Sequence, residues 1–433
     1  MNSAQLHQRF LLSSGACTDT RKINKNCIFF ALKGGNFNGN EFAAEALQNG
    51  ARYAVVDEKE FALEDDERFI LVKNSLESLQ KLAIFHRNYL EIPILAITGS
   101  NGKTTTKELL YAVLSRKFRT VATKGNLNNH IGVPLTLLSM DEETEFGIVE
   151  MGANHLREIE FLCSIANPDY GYITNFGKAH LEGFGGVEGV IKGKTELYKH
   201  LQEQNKLIFL NIDDEIQRKH HNYKHTFSFG MSRLADVRLS YLQGQPNAQL
   251  LFNDTKFNSK LTGSYNATNM AAALCIGLYF KIKFNDIREA IEEYSPQNNR
   301  SQLIESGNNT IIMDAYNANP TSMHAALENF NNLQTSKQKI AVLGDMFELG
   351  DAAPTEHQVI VNFIENSKIS ETYLLGENFK KTHTSNDFIF KFKDIEALKT
   401  HLQESNFENC YFLIKGSRGM ALERVLDSIK KSR

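Results

Sequence analysis

The stretch Gly99-Ser100-Asn101-Gly102-Lys103-Thr104, with Thr105 directly after it, follows an apolar run and opens a helical pattern. That order of residue types suits a phosphate-binding turn. Two glycines allow a tight loop, backbone N–H groups and a helix N-terminus face an anion, Lys103 neutralises it, and the Thr104 hydroxyl supplies a metal ligand. The longer fingerprint G-x-x-x-x-G-K-[ST] does not apply, because Ile97 stands where its first glycine belongs. Downstream, Glu150 closes the apolar run FGIVE, where a carboxylate needs a partner: Mg²⁺, a cap or a salt bridge. His180 then lies in a glycine-rich stretch, followed by a helical segment with Lys192 and Lys194. Alone, that histidine reads as a structural or solvated loop residue and the lysines as surface charges. Their order after the loop and Glu150 is what suggests an ATP site.

Strands must hold these groups along one edge. The runs 93–99, 119–126, 146–152, 170–177 and 206–214 end at Gly, Asn or Asp and alternate with helical patterns, as a parallel sheet with crossover helices does. Ligands of such sheets collect at the carboxyl ends of the strands. A helical stretch at 266–294 precedes a second series of strand, glycine-containing turn and helix through 310–317, 339–345, 371–378 and 410–419. Residues 1–92 mix short strands at 27–32 and 51–57 with a helical 41–50. The expectation is an α/β chain of three domains: a small N-terminal α/β unit (1–92), a central domain with a mostly parallel sheet (93–297) and a Rossmann-like C-terminal domain (298–433). At 433 residues that count agrees with a prior of roughly 150 residues per domain.

Apolar residues at 42%, charged residues at 23% and a formal net charge of -3 describe a globular chain and exclude a nucleic-acid-coating one. The five cysteines form no C-x-x-C pair, which fits a reducing compartment. No apolar run approaches the roughly 18 residues of a membrane span, and the start lacks a signal-peptide pattern. A cytoplasmic protein of small-molecule substrates is expected, with no nucleic acid partner and no membrane span.

On these residues, and on segments along nearly the whole chain, the sequence resembles the Mur ligases, the ATP-dependent amide-forming family of peptidoglycan precursor synthesis. The family's compact loop T-G-[ST]-[NS]-G-K-[ST] is similar to Thr98 through Thr104 and needs no distant first glycine. The resemblance implies that Gly99 through Thr105 bind the nucleotide, with Lys103 on the phosphates. It also implies two Mg²⁺ ions, one at Thr104 and Glu150, the other at His180 and a carbamylated lysine; Lys103, His180 and Lys194 would be catalytic. Lys194, in GKTEL, resembles the family's A-K-x-E lysine with Gly193 in place of alanine, and Lys192 is the alternative.

Further segments resemble the family in chain order. GNLNNHIGVP (125–134) implies that Asn128 and Asn129 face a UDP-sugar, and GSYNATNMAAAL (263–274) puts Asn266 and Asn269 near adenine, with Tyr265 where histidine is usual. Arg300 would reach the phosphates and Asp314 the ribose. DAYNANPTSM (314–323) resembles the branch that adds D-alanyl-D-alanine to a UDP-muramoyl tripeptide, and the D-N-P-R signature of the diaminopimelate-adding branch is absent. Tyr316, Asn317 and Asn319, with Arg418 from LIKGSRGM, are therefore candidates for substrate contact. TDTRKINKNCIFFALKGGNFNGNEF (18–42) resembles a UDP-binding segment, which adds Thr20 and Arg21, and has Asn38 where aspartate is usual.

The resemblance implies a monomeric ADP-forming ligase that works through an acyl phosphate, with the tripeptide's third residue, lysine or diaminopimelate, left open. Another ligase of the superfamily, such as a folylpolyglutamate synthase, would share the loop, Glu150 and His180 but not YNANP. A degenerate nucleotide-binding module would have lost a phosphate or metal residue, and none of Lys103, Thr104, Glu150, His180 or Lys194 is lost. A simple kinase would leave two domains without use.

Overall fold

The computed structural model describes residues 2–63, 65–242, 246–296, 299–405 and 407–429. The boundary expected at 297/298 lies outside the described residues, as does the C-terminal end at 430–433.

Strands Ala16–Cys17, Ile28–Phe30, Tyr53–Val56 and Phe69–Leu71 pair in parallel, in chain order, as a first small sheet. The central sheet runs Val237–Arg238, Thr226–Gly230, Leu207–Asn211, Tyr170–Ile173, Ile94–Thr98, Phe146–Glu150 and Thr120–Ala122, all parallel. Ile94–Thr98 is interior and buried at every residue, as an apolar strand covered on both faces must be. Its neighbours, Phe146–Glu150 and Tyr170–Ile173, come from opposite directions of the winding, so a crevice opens beyond its carboxyl end. A third sheet orders Gln302–Ser306, Asn309–Asp314, Cys410–Lys415, Gln338–Gly344, Glu371–Leu375 and Ile389–Phe392, parallel except for the first pair.

Each expected strand overlaps an observed one, although 119–126 supplies only Thr120–Ala122 and the strands expected at 310–317 and 339–345 begin one residue earlier. The helical stretch 266–294 is two helices, Asn266–Tyr279 and Phe284–Glu293, parted where Lys281 takes a left-handed φ of +55°. Unanticipated are the strands Thr226–Gly230 and Val237–Arg238 and an antiparallel meander of Ser240–Leu242, Asn247–Phe252 and Thr255–Thr262. In the meander Phe257 and Leu261 point inward under the second helix while polar residues alternate outward, so no continuous apolar run marks it.

One apolar cluster extends from Leu6 and Leu82 of the first domain, along one face of the central sheet through Ile94 and Val149, to Met323 and Leu343 of the third. The other face of the central sheet packs Leu95 and Ile97 against helices Lys103–Leu114 and Asn266–Tyr279. Among the described residues no helix is long and apolar enough to cross a membrane.

Candidate functional site

The loop after Ile94–Thr98 closes on two glycines that nothing larger could replace in place. Gly99 has a φ of +141°, and a Cβ there would come within 2.0 Å of Thr174 Oγ1; Gly102 has a φ of +76°, and its Cβ would meet Asn269 Oδ1 at 2.7 Å. The helix Lys103–Leu114 starts directly from the loop, with Gly102 as a cap that has no side chain to satisfy the first N–H groups. Those donors remain available at the mouth of a cavity of about 1150 Å³. The loop is held from behind: Asn175 Oδ1 accepts from the Asn101 N–H at 3.0 Å, and Ser100 Oγ donates to the Gly177 carbonyl at 3.0 Å. Sequence reasoning missed Asn175, which lies inside a quoted strand end but carries no spacing of its own.

Lys103 Nζ folds back to donate to the Gly99 carbonyl at 2.7 Å and the Ser100 carbonyl at 3.3 Å. Burial pushes its pKa down, Glu150 opposes that and the charge of Arg300 adds to it. Glu150 itself is buried; Oε1 accepts from Asn128 Nδ2 at 2.8 Å and from Thr104 Oγ1 at 3.3 Å, while Oε2 has no partner. A buried carboxylate oxygen with an open lone pair, beside a threonine hydroxyl, fits Mg²⁺ chemistry. Among the described residues no three His, Cys, Asp or Glu side chains gather for a metal. A single carboxylate, a hydroxyl and the histidine suit an ion that keeps water and phosphate as its remaining ligands.

His180 lines the same cavity in a left-handed conformation, φ +53°. Its Nδ1 lies against the carboxylate of Glu348, itself at φ +61°. That contact holds the Glu348 carboxyl below its usual range. Lys194 is buried to 1% exposure, donates to the Ala153 carbonyl at 3.1 Å and sits over the Phe184 ring. Burial, then the charge of Lys103, pushes its pKa well down. A lowered proton affinity favours the neutral amine, the form that reacts with carbon dioxide.

The helix Asn266–Tyr279 stitches the loop to the third domain. Thr106 Oγ1 donates to Asn269 Oδ1 at 3.1 Å, Asn269 Nδ2 donates to Asn266 Oδ1 at 2.7 Å, and Tyr265 OH shares a 3.1 Å hydrogen bond with Ser301 Oγ. From the third domain come Arg300, Asp314, Tyr316 and Asn317, all lining the cavity. Asp314 accepts from the Ser301 N–H at 3.1 Å and pairs with buried Lys415 Nζ at 2.6 Å. Lys415 was also missed, although it lies in LIKGSRGM, because a lysine ending an apolar strand gives no sign of its partner. Asn319 caps the helix Pro320–Asn332 and donates from Nδ2 to Asn101 Oδ1 at 2.7 Å, joining residues 218 apart in sequence at the loop.

Of the expected residues, Ser100 through Thr105, Asn128, Asn129, Glu150, His180, Asn266, Asn269, Arg300, Asp314, Tyr316 and Asn317 line this one cavity, with Gly99, Lys194 and Asn319 bonded to its walls. Thr20, Arg21 and Arg418 are not among its lining residues either. Thr20 and Arg21 lie in a short 3-10 turn of the first domain, where Arg21 is 86% exposed and forks onto Asp19. Arg418 is 60% exposed and pairs with Glu423 at 2.8 Å.

Three family models match the chain in order: the Mur ligase family catalytic domain over 14–87, the Mur ligase middle domain over 97–277 and the Mur ligase glutamate ligase domain over 299–418. A protein named UDP-N-acetylmuramoyl-tripeptide--D-alanyl-D-alanine ligase from Bacillus subtilis (strain 168) is 33% identical over 428 residues, covering 96% of this chain and 93% of that one. The chain belongs to the Mur ligase family. Solved structures agree with this Mur ligase throughout its length. A crystal structure of MurF from Acinetobacter baumannii superposes with a TM-score of 0.86 at 28% identity, over 100% of this chain and 99% of the other. MurF ligase from Thermotoga maritima in complex with ADP gives 0.82 at 29% identity, over 97% and 98%.

Proposed function

We propose that the chain joins D-alanyl-D-alanine to a UDP-N-acetylmuramoyl tripeptide, converting ATP to ADP and phosphate. What carries this reading is the near full-length likeness to proteins named for that reaction. The γ-phosphoryl group of ATP passes to the tripeptide's terminal carboxylate, giving an acyl phosphate. The amine of the dipeptide then attacks the carbonyl carbon and loses a proton, the C–O bond breaks, and phosphate leaves.

In this reading the free N–H groups at the start of Lys103–Leu114 bind the phosphates, and Lys103 turns from the Gly99 and Ser100 carbonyls onto them. Thr104, Glu150, His180 and a carbamylated Lys194 hold Mg²⁺, which when bound offsets the repulsion between the nucleotide and the carboxylate. Arg300 and Asp314 bring the third domain onto the nucleotide, and the Asn101–Asn319 contact closes the crevice against water. Asn266 and Asn269 shape the adenine end; Asn128 and Asn129 face the sugar peptide; Thr20 and Arg21 bind its uridine end outside the cavity. The division at 92/93 and 297/298 and a cytoplasmic monomer belong to the same reading.

Phosphate release from ATP with UDP-muramoyl tripeptide tests it, adding D-Ala-D-Ala, D-alanine, L-lysine, diaminopimelate or glutamate in turn. Release is expected only with D-Ala-D-Ala, with the pentapeptide product seen by mass; release with another amine overturns the substrate assignment. Lys194→Ala is expected to lose activity and recover part of it with a short added carboxylate, and full activity without one would sink the carbamate.

A further inference from the structure

Arg300 is delivered to the cavity by an unusual piece of backbone. Its neighbours Asn299 and Ser301 both hold left-handed conformations, φ +56° and +49°, which residues carrying a Cβ adopt at a steric cost. Ser301 is fixed on both sides: its N–H donates to Asp314 Oδ1 at 3.1 Å and its carbonyl accepts from Thr262 Oγ1 at 3.0 Å. The Arg300 side chain is anchored differently. Among the described residues no ion pair or hydrogen bond is formed by its guanidinium, whose carbon lies 3.6 Å from the centroid of the Tyr316 ring. Both side chains line the cavity, and the Arg300 charge reaches Lys103 strongly enough to lower that amine's proton affinity.

This arrangement engages the flat face of the guanidinium and leaves its N–H edge free. Stacking on an aromatic ring restricts the long side chain before any anion arrives, so less freedom is lost when one binds. The tyrosine hydroxyl has no part in that, because the contact is made by the ring face.

We propose that Tyr316 is a positioning residue for the nucleotide, its ring presenting the Arg300 edge to the triphosphate at the loop instead of touching the peptide substrate. The proposal rests on the cavity being an ATP site, and not on which amine is ligated. Its consequence is a division of labour within YNANP: Tyr316 acts through Arg300, while Asn319 acts on the loop directly.

Calorimetric titration with ADP, a non-hydrolysable ATP analogue and AMP, with no other substrate present, tests it. Tyr316→Phe is expected to bind the analogue within about twofold of wild type, and Tyr316→Leu about five- to tenfold more weakly, the size of one cation–π contact. AMP, which lacks the outer phosphates, should bind both variants equally. The double variant Arg300→Gln/Tyr316→Leu should bind no more weakly than Arg300→Gln, since the ring has nothing left to position. Thermal unfolding of each variant separates these outcomes from misfolding. The proposal is overturned if Tyr316→Phe loses as much as Tyr316→Leu, if the two losses add, or if AMP suffers equally. A wild-type chain that binds no adenine nucleotide overturns both this and the ATP reading beneath it.

Discussion

The nucleotide loop and the N-terminal segment 18–42 carry comparable numbers of quoted motif residues, yet the fold treats them differently. Around Lys103 the loop is bonded to, or faces, groups from distant elements: Asn175, Glu150, Asn269 and, across the domain seam, Asn319. Around Thr20 and Arg21 the partners are local. Arg21 pairs with Asp19 two residues away, and Asn38 and Asn40 engage Asp57 and Glu58 of the same small domain. The loop is held by long-range contacts, whereas the exposed Arg21 is met by its near neighbour Asp19. In the proposed reading the difference means that the phosphate would meet a rigid cradle, whereas the far end of the substrate would meet groups that must first release their neighbours.

That contrast can be broken at its strong end. Lys103→Ala should lower the rate of phosphate release by about 10³-fold or more, because a preorganised charge on a transferring phosphoryl group is removed. Glu150→Gln keeps the shape but loses the open carboxylate oxygen; a rise of about 10- to 100-fold in the Mg²⁺ needed for half-maximal activity is expected from a metal titration. Asn319→Asp retains the helix cap and loses the Nδ2 donor to Asn101, so activity should fall about tenfold with the unfolding temperature nearly unchanged. Asn319→Ala should also cost about 1 kcal/mol of stability through the lost cap.

At the weak end, Arg21→Ala should raise KM for the UDP substrate only about two- to fivefold with kcat unchanged, the worth of an exposed charge contact. A loss of 100-fold would show that segment to be as rigidly built as the loop. The seam between these regions has its own signature. His7 Nε2 and His86 Nδ1 share a 3.0 Å hydrogen bond, and His86 Nε2 lies 2.8 Å from the Met140 carbonyl. Burial pushes both below the ordinary 6.5, with the charge of His86 adding to the effect on His7. Because the unfolded chain takes up protons that the fold refuses, stability is fully present above pH 6.5 and is lost as pH falls below it. A drop of about 2–4 °C in unfolding temperature between pH 7 and pH 5 is expected, flattened in His7→Gln.

The legible parts of this molecule were those in which neighbours in sequence are neighbours in function. The strand-turn-helix at 94–114 writes its glycines, lysine and threonines in one run, and parallel strands buried on both faces announce themselves as apolar runs. What could not be read was partnership at a distance. Lys415 gives no hint of Asp314, nor Glu348 of His180, since each contact exists only when two domains or two distant strands meet. Tyr316 was legible as a site residue but not in what it touches, because a ring's partner is chosen by packing.

The third sheet carries its latest strand, Cys410–Lys415, in its middle, between Asn309–Asp314 and Gln338–Gly344. A ribosome therefore delivers the keystone after the stones it must separate. Until that strand emerges, the two halves of the sheet have no common neighbour, Asp314 has no lysine, and Asn319 has no firm base from which to reach the loop.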